Sequence, residues 1–261
     1  MEKTRFAIIG GTGFEKLFTH SKRISAKTPY GEVKALFIGQ VGDRTVVVLP
    51  RHGLDHSIPP HKINYRANIY ALHEMGVERI LATNAVGGIS KKLEPGDVVV
   101  PNDFVDFTKL RGATFYDDAP VTHIDLTEPY CPETRGLLIQ NGEKQKLRVW
   151  DKAVLACTGG PRFETPAEIE MFRRLGCDIV GMTSFPEVVL ARELEMCYAS
   201  LCYVSNMAAG MQRRLTAAEV SKISKEILPV VEQVLIETVK GLPLKRENCP
   251  CADALKEARF K

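Results

Sequence analysis

Short apolar runs alternate along this chain with segments in which apolar residues recur at helical spacing. The runs predict strands and the amphipathic segments predict helices. The predicted strands are 6–9, 45–49, 79–83, 98–101, 153–156, 179–182 and 197–201, and the predicted helices are 64–74, 166–175, 186–194 and 216–240. This alternation predicts an α/β fold, a central mixed, largely parallel β-sheet flanked by helices, whose ligands bind beyond the carboxyl ends of the strands.

The domain organisation follows from the absence of any internal repeat or low-complexity linker in the 261 residues. A chain of this length has ample material for one large core, so a single domain over 1–261 is expected. Its last part, from about 242 to 261, reads as a polar tail. The polar segment 109–146 is expected to be irregular or to form a subunit contact.

Charge and apolar content limit the classes of partner. The formal net charge is only +3 and its Lys and Arg residues are spread along the chain, so neither nucleic acid nor a membrane surface is an expected partner. No apolar stretch reaches the ~18 residues of a membrane span, and the first residues lead into a strand with no signal-peptide pattern. A soluble, cytoplasmic protein is expected.

Seven cysteines fall into two groups. Five of them, at 131, 157, 177, 197 and 202, lie in or beside apolar segments and are expected to be small core residues. Cys249 and Cys251 flank Pro250 in the tail, where two thiols this close suit a strained disulfide or redox exchange.

Glycines follow the first predicted strand, at Gly10, Gly11 and Gly13, with Thr12 between the last two. Exposed backbone N–H groups and a hydroxyl suit an anion. A tight turn between a strand and a helix explains the loop equally well. The dinucleotide fingerprint fails, because its third glycine position is Lys16.

Arg51 and His52 follow the next strong apolar run. The guanidinium fork of Arg51 suits phosphate oxygens, and His52 is a second donor beside it, although such a pair is also common on surfaces. His56 and His61 lie nearby, but their spacing does not form a metal pattern, and no metal is expected.

Two further polar positions end apolar runs. Met182 suits contact with a sugar or base and Thr183 suits contact with a phosphate, but a core methionine and a helix cap explain them equally well. Asn206 follows the run at 197–205, where a cap or turn role is the alternative to ligand binding.

Several motifs in order resemble the trimeric purine nucleoside phosphorylase and methylthioadenosine phosphorylase family. The motifs are IIGGTG at 8–13, RHG at 51–53, KINYRAN at 62–68, TNAVG at 83–87, GPRFET at 160–165, GMT at 181–183 and PE at 186–187. The likeness covers roughly residues 6 to 239, and the C-terminal Cys-x-Cys resembles one found in some heat-adapted members. It implies that phosphate attacks the anomeric carbon of a purine nucleoside, in purine salvage, with no cofactor.

The resemblance also implies residue roles. The anion is held by Thr12, Arg51, His52, Asn84, Ala85 and Thr183, and the nucleoside by Phe163, Glu164, Met182, Asn206, Met207, Ala208 and His123. Asn206 and His52 are the implied catalytic residues. A fixed phosphate dianion both attacks and stabilises an oxocarbenium-like transition state.

Base preference is implied by Glu164 and Asn206, with Ala217 as a third specificity position. A 6-oxopurine presents an N1–H donor to a carboxylate and an O6 acceptor to an amide, whereas adenine presents the reverse pattern. Glu164 opposite adenine N1 would place two acceptors face to face, at a cost of a few kcal/mol. Inosine, guanosine or 5′-methylthioinosine are therefore the expected substrates.

The 5′ group is left open by the sequence. The likeness leans towards the methylthio-nucleoside branch, in which a histidine at the position of His123 reaches a neighbouring subunit, and it implies a homotrimer or a dimer of trimers. A methylthioadenosine phosphorylase is the alternative within the family. A dinucleotide-dependent oxidoreductase and a non-catalytic nucleoside-binding protein are the alternatives outside it.

Overall fold

The computed structural model describes residues 4–11, 18, 20–246 and 248–259. Its strands are β1 (Phe6–Gly10), β2 (Lys22–Thr28), β3 (Gly31–Val41), β4 (Arg44–Pro50), β5 (Arg79–Gly88), β6 (Val98–Val99), β7 (Asp103–Phe107), β8 (Val149–Trp150), β9 (Val154–Thr158), β10 (Ile179–Gly181) and β11 (Cys197–Met207). Its α-helices are α1 (Tyr65–Glu74), α2 (Pro132–Lys144), α3 (Pro166–Arg174), α4 (Ser184–Glu193) and α5 (Ala217–Gly241). The predicted mixed α/β architecture is confirmed.

The sheet has eleven strands, and its main path runs β2-β3-β4-β1-β5-β10-β9-β7. β11 pairs with the second edge of β5 and also with β6, and β6 pairs with β8. β4, β1, β5 and β11 are parallel to one another, whereas β10 runs antiparallel to β5 and parallel to β9. The sheet therefore contains two sets of parallel strands, β4, β1, β5 and β11 in one and β10 and β9 in the other. The two sets run in opposite directions and meet where β10 pairs with β5.

The core follows from the composition of the strands. β1 and most of β5 are buried on both faces, as expected for central strands that are covered by helices. One cluster of apolar residues packs α1 and α4 on one face, and another packs α2 and α5 on the other. All the strands predicted from apolar runs are present. A strand that is apolar on both faces is buried on both faces only inside a sheet that helices cover.

The hairpin of β2 and β3 was not predicted. β2 has only partly buried or exposed residues and pairs antiparallel at the end of the sheet, so its sequence lacks a long apolar run. The sequence did contain a turn signal, because Pro29 is a typical turn residue. Pro29 and Tyr30 form the turn between the paired residues Thr28 and Gly31.

The prediction of irregular structure over 109–146 is wrong for its second half, which contains α2. The apolar residues of α2 are consecutive, at 137–139, so no helical spacing announces it. Burial of Leu138 in the core and the packing of α2 on α5 stabilise the helix instead. Residues 108–131 contain no helix or strand, as expected.

Among the residues that the structure describes, no helix is both long enough and apolar enough to cross a membrane.

The two glycines of α2 give a matched test of its packing. A Cβ added at exposed Gly136 has no described atom within 4 Å, whereas one at Gly142 would lie 2.8 Å from Val149 Cγ2. We expect Gly136→Ala to raise the free energy of unfolding by about 0.5–1 kcal/mol through helix propensity. Gly142→Ala should lower it by about 1 kcal/mol or more, because stiff Val149 must move. Urea unfolding midpoints measure both, and equal effects would contradict this packing.

Candidate active site

A gap in the pairing of β5 lies at the centre of the candidate site. β1 pairs with β5 only as far as Ala82, and β10 pairs with it only from Gly87 onward. Because β1 and β10 run towards each other, their carboxyl ends meet beside residues 83–86. Ligand positions at strand ends were predicted from parallel strands, but here the ends of two opposing sets converge.

The backbone beside the gap offers donors. Thr83 O accepts a hydrogen bond from Arg51, which follows β4, so Thr83 faces the gap. Alternate strand residues direct their N–H and C=O groups to the same edge, so the Ala85 N–H also faces the gap. The side chain of Ala85 is exposed although its strand neighbours are buried. Ala85 therefore marks an opening in the middle of the sheet.

Arg51 is buried and forms an ion pair with equally buried Glu187 of α4. Arg51 Nε donates to Glu187 Oε1 at 2.5 Å and Nη2 donates to Oε2 at 2.8 Å, while Nη1 donates to Thr83 O at 2.8 Å. Tyr198 of β11 donates its hydroxyl to Glu187 Oε2 at 2.8 Å. One carboxylate thus joins β4, α4 and β11 next to the gap.

This pairing changes how Arg51 can bind an anion. Its bidentate face, Nε with Nη2, is occupied by Glu187 instead of being open to phosphate oxygens as the sequence suggested. A guanidinium has five N–H donors, and these bonds use three of them. Among the described residues, one N–H on Nη1 and one on Nη2 therefore remain for a ligand. Burial opposes the charge of Arg51, yet Glu187 raises its pKa above the usual value, so the cation persists.

Thr183 lies directly beyond β10 and its hydroxyl donates to Asn84 Oδ1 at 2.5 Å. The Asn84 amide donates in turn to Ser200 Oγ of β11 at 2.7 Å. Thr183 is the N-cap residue of α4, as the cap alternative expected, but its side chain makes no cap hydrogen bond. The side chain of Asn84 is used to orient Thr183, whose oxygen retains lone pairs for a ligand proton.

His52 is a neutral ring in this structure. Its Nδ1 lies 2.9 Å from Ile58 O, and since a carbonyl only accepts, Nδ1 carries the proton. Burial, then the charges of Arg51 and His56, lower the pKa of His52 to about 4. Nε2 is therefore an acceptor near neutral pH, whereas the sequence suggested a donor.

Glu164 lies in the loop between β9 and α3, with its side chain almost fully buried. Its Oε1 accepts from Thr158 Oγ1, the last residue of β9, at 2.7 Å. Thr165, the next residue, begins α3 with a capping box in which it exchanges hydrogen bonds with Glu168. The strand end and the helix start together fix the position of Glu164 and leave Oε2 for a ligand donor.

Asn206 lies near the end of β11 beside Gly87 of β5. Its Oδ1 accepts from Ser205 Oγ at 2.8 Å and its Nδ2 donates to Met207 O at 3.0 Å. These two partners orient the amide, with one N–H left for a ligand. The Met207 N–H donates to Gln212 Oε1 at 2.7 Å, which holds the end of the strand.

Close contacts between loops bring these strand ends together. A Cβ added at Gly210, after β11, would lie 2.9 Å from Pro166 Cβ at the start of α3. A Cβ added at Gly160, which has a φ of 61°, would lie 2.6 Å from Met182 Sδ and 3.5 Å from Pro60 Cβ. Only glycine fits at 160, and Met182 fills the space beside it.

Arg111 links two of these loops and was not predicted. It donates to Phe185 O at 2.6 Å and Gly159 O at 3.0 Å, and its guanidinium lies 5.1 Å from the centre of the Tyr65 ring. Arg111 comes from the irregular segment after β7, and no sequence pattern indicates that it connects these loops. Only its position in the fold shows this.

The other predicted residues have separate positions. Ala208 is buried and donates its N–H to Gly88 O at 2.8 Å, Phe163 is 42% exposed, and Ala217 is the exposed first residue of α5.

His123 is exposed, and its backbone N–H donates to Ala258 O in the C-terminal segment. It lines a cavity of about 480 Å³ with Arg192, on residues different from those around the gap. Thr12 lies outside the described residues.

Sequence reasoning did not predict the supporting residues Glu187, Tyr198, Ser200 and Thr158. Glu187 belongs to the PE motif at 186–187, yet nothing in the sequence indicates that its carboxylate pairs with Arg51. The other three carry ordinary hydroxyl groups within strands.

Comparisons with known proteins show the family of the chain. A sequence model described as the phosphorylase superfamily matches residues 5–240. A Methanopyrus kandleri protein named probable S-methyl-5′-thioinosine phosphorylase is 52% identical over 257 residues, covering 98% of this chain and 99% of that protein. A Pyrococcus furiosus protein named 6-oxopurine nucleoside phosphorylase is 49% identical over 263 residues, covering 97% and 98% respectively. The solved structure of a methylthioadenosine phosphorylase from an Antarctic soil metagenomic library matches with a TM-score of 0.93 at 31% identity, covering 99% of this chain and 93% of that chain.

The low pKa of His52 makes a prediction about stability. As the pH falls, the unfolded chain binds a proton near pH 6.5, whereas folded His52 binds it only near pH 4. The free energy of unfolding should therefore decrease from pH 6.5 to 4, and His52 should contribute no such change above pH 7. We expect His52→Gln to lose less stability over this range than the unsubstituted protein, measured by urea unfolding. His20→Gln, at an exposed histidine, is the control, and identical pH slopes for His52→Gln and the unsubstituted protein would contradict the buried neutral ring.

Proposed function

The chain belongs to the phosphorylase superfamily, and we propose that it cleaves a 6-oxopurine nucleoside with inorganic phosphate, yielding the free base and a ribose 1-phosphate or its 5-methylthio form. The observation that carries the proposal is the convergence of Arg51, Thr183 and the Ala85 N–H on one gap in the sheet. Arg51 and the Ala85 N–H are donors suited to phosphate oxygens, and the Thr183 oxygen is an acceptor for a phosphate or sugar hydroxyl. The family match argues against the oxidoreductase alternative.

Phosphate is proposed to lie in the gap under the sugar. The two remaining N–H groups of Arg51 and the N–H of Ala85 donate to its oxygens, and Glu187 keeps the guanidinium fixed before phosphate arrives. Fixed donors cost no reorganisation during the reaction. As the bond from C1′ to the base breaks, the nearby phosphate stabilises positive charge on the sugar and then forms the new C–O bond.

His52 and Thr183 select the orientation of that phosphate. Neutral His52 offers Nε2 as an acceptor, which suits the single hydroxyl of a monohydrogen phosphate. The protonated oxygen then faces His52, and an unprotonated oxygen is free to attack. Thr183 already donates its proton to Asn84, so its oxygen is a second acceptor for a phosphate or sugar hydroxyl.

The purine is proposed to lie between Glu164 and Asn206. Glu164 Oε2 accepts the N1–H of a 6-oxopurine, and the remaining N–H of Asn206 donates to the O6 and N7 edge. That donor stabilises the electron density that the base accepts as it leaves. Met182, held beside Gly160, packs on the nucleoside with its apolar side chain.

The names of the relatives support the preference for 6-oxopurines. The Methanopyrus and Pyrococcus proteins, named for methylthioinosine and 6-oxopurine nucleosides, are 52% and 49% identical to this chain. The solved structure named for methylthioadenosine is 31% identical.

The 5′ group and the assembly extend this proposal. We favour a 5′-methylthio substrate, a homotrimer or dimer of trimers, and a cytoplasmic location. The support is the family likeness and the place of His123, whose described contact is with the C-terminal segment and whose exposed side suits a neighbouring subunit. No metal or organic cofactor is proposed for the reaction, because phosphate supplies the nucleophile.

Four substrates separate base preference from 5′ preference: inosine, adenosine and the 5′-methylthio form of each, with saturating phosphate. We expect kcat/KM for each 6-oxopurine nucleoside to be about a hundredfold or more higher than for the adenine nucleoside with the same 5′ group. The reason is that adenine N1 and the Glu164 carboxylate are both acceptors and would face each other. We also expect methylthioinosine to be used at least as well as inosine. Glu164→Ser combined with Asn206→Asp should shift the preference towards aminopurines.

Glu170→Ser is the matched control, since Glu170 is a partly exposed carboxylate of α3 that pairs with Arg173 and Arg174. It should leave the preference unchanged. Faster cleavage of adenosine by the unsubstituted enzyme, or an unchanged preference in the double variant, would show that base selection lies elsewhere.

A further inference from the structure

Four of the seven cysteines meet in one cluster, which we call the thiol cluster: Cys131, Cys197, Cys249 and Cys251. Their sulfur atoms all lie within 4.8 Å of one another. Cys131, Cys197 and Cys251 are buried and Cys249 is partly buried. From the sequence, Cys131 and Cys197 were expected to be core residues and Cys249 and Cys251 to be a separate pair, whereas the fold brings all four together.

We propose that the thiol cluster binds one zinc ion through four thiolates. Zinc bound to cysteine has Zn–S distances near 2.3 Å and tetrahedral geometry, so its ligand sulfurs stand roughly 3.8 Å apart. The sulfurs of Cys197 and Cys249 are 3.5 Å apart, and the 4.8 Å limit for the other pairs is compatible with small adjustment. Two disulfides would require only that the sulfurs lie close in two pairs. They would not require all four sulfurs to lie close to one another, as they do here.

The chain supplies the four ligands from three separate places. Cys131 precedes α2, Cys197 begins β11, and Cys249 and Cys251 flank the start of a short 3₁₀ helix at Pro250–Asp253. The site is closed by burial, with four protein ligands and no position for substrate. Its chemistry is therefore structural and separate from the phosphate gap.

Groups around the thiol cluster favour negative sulfur. Thr134 Oγ1 donates to Cys131 Sγ at 3.3 Å, and Arg79 Nη1 lies 3.9 Å from Cys197 Sγ. Cys131 also stands at the amino end of thirteen-residue α2, where the helix dipole stabilises a thiolate. Such outer contacts orient metal ligands and offset part of their charge.

Binding has a defined balance. Four neutral thiols release four protons as they bind Zn²⁺, which leaves a complex of charge −2, and no oxidant or reductant takes part. The metal would attach the C-terminal segment to the first residue of β11. The next residue of that strand, Tyr198, donates to Glu187, so the thiol cluster would also stabilise the strand that supports the site.

Metal analysis of the intact protein, purified with reductant from zinc-containing medium, is the direct test. We expect about one zinc per chain by plasma mass spectrometry. Titration with a mercurial reagent should release zinc as four thiols react, and removal with a chelator should lower the melting temperature by several degrees. A metal-free protein with four reactive thiols, or a denatured mass 4 Da low from two disulfides, would overturn the proposal. Iron at one per chain would overturn the assignment to zinc.

Variants give a matched comparison. Cys251→Ser should lose the metal, whereas Cys177→Ser should keep it, because Cys177 lies in a different apolar cluster. Full zinc retention by Cys251→Ser would contradict the site. Should Cys251→Ser fail to fold, the mercurial titration of the unsubstituted protein decides, since it requires no variant.

Discussion

The buried pair of Arg51 and Glu187 is the interaction on which the rest of the site depends. Glu187 also accepts from Tyr198, and Arg51 also donates to Thr83 O, so four separate elements meet at two side chains. Burying both charges is costly, and removing one partner of such a pair typically costs 3–5 kcal/mol. In the proposed function, the pair holds a fixed cation whose remaining donors bind the phosphate.

The sheet explains why that place is available. β1 and β10 approach each other along one edge of β5 and stop short, so within the described part of the chain no strand pairs with residues 83–86 on that side. A central strand elsewhere in the sheet would have both edges paired and nothing to offer a ligand. Polar side chains that follow each strand then fill the surroundings, and their hydrogen bonds to one another fix them before substrate binds. Preorganisation of this kind is a large source of transition-state stabilisation.

Sequence reasoning predicted the strands that bury both faces, and it named Arg51, Thr183, Glu164 and Asn206 through a family likeness. It did not predict the hairpin of β2 and β3: the edge strand β2 has no buried residue, and the apolar run at 35–38 in β3 was overlooked. It also did not predict the role of Glu187, because pairing between β4 and α4 depends on tertiary packing. The thiol cluster was missed for the same reason: its members are up to 120 residues apart, as Cys131 and Cys251 show.

The most direct test of the account follows the fate of the phosphate. The enzyme is incubated with inosine and inorganic phosphate, and the products are followed by ³¹P NMR together with measurement of hypoxanthine. The account predicts a sugar 1-phosphate in equal amount to the free base, and no base release when phosphate is omitted. Release of hypoxanthine without phosphate, accompanied by free ribose, would show that water is the nucleophile and would contradict the proposed anion site.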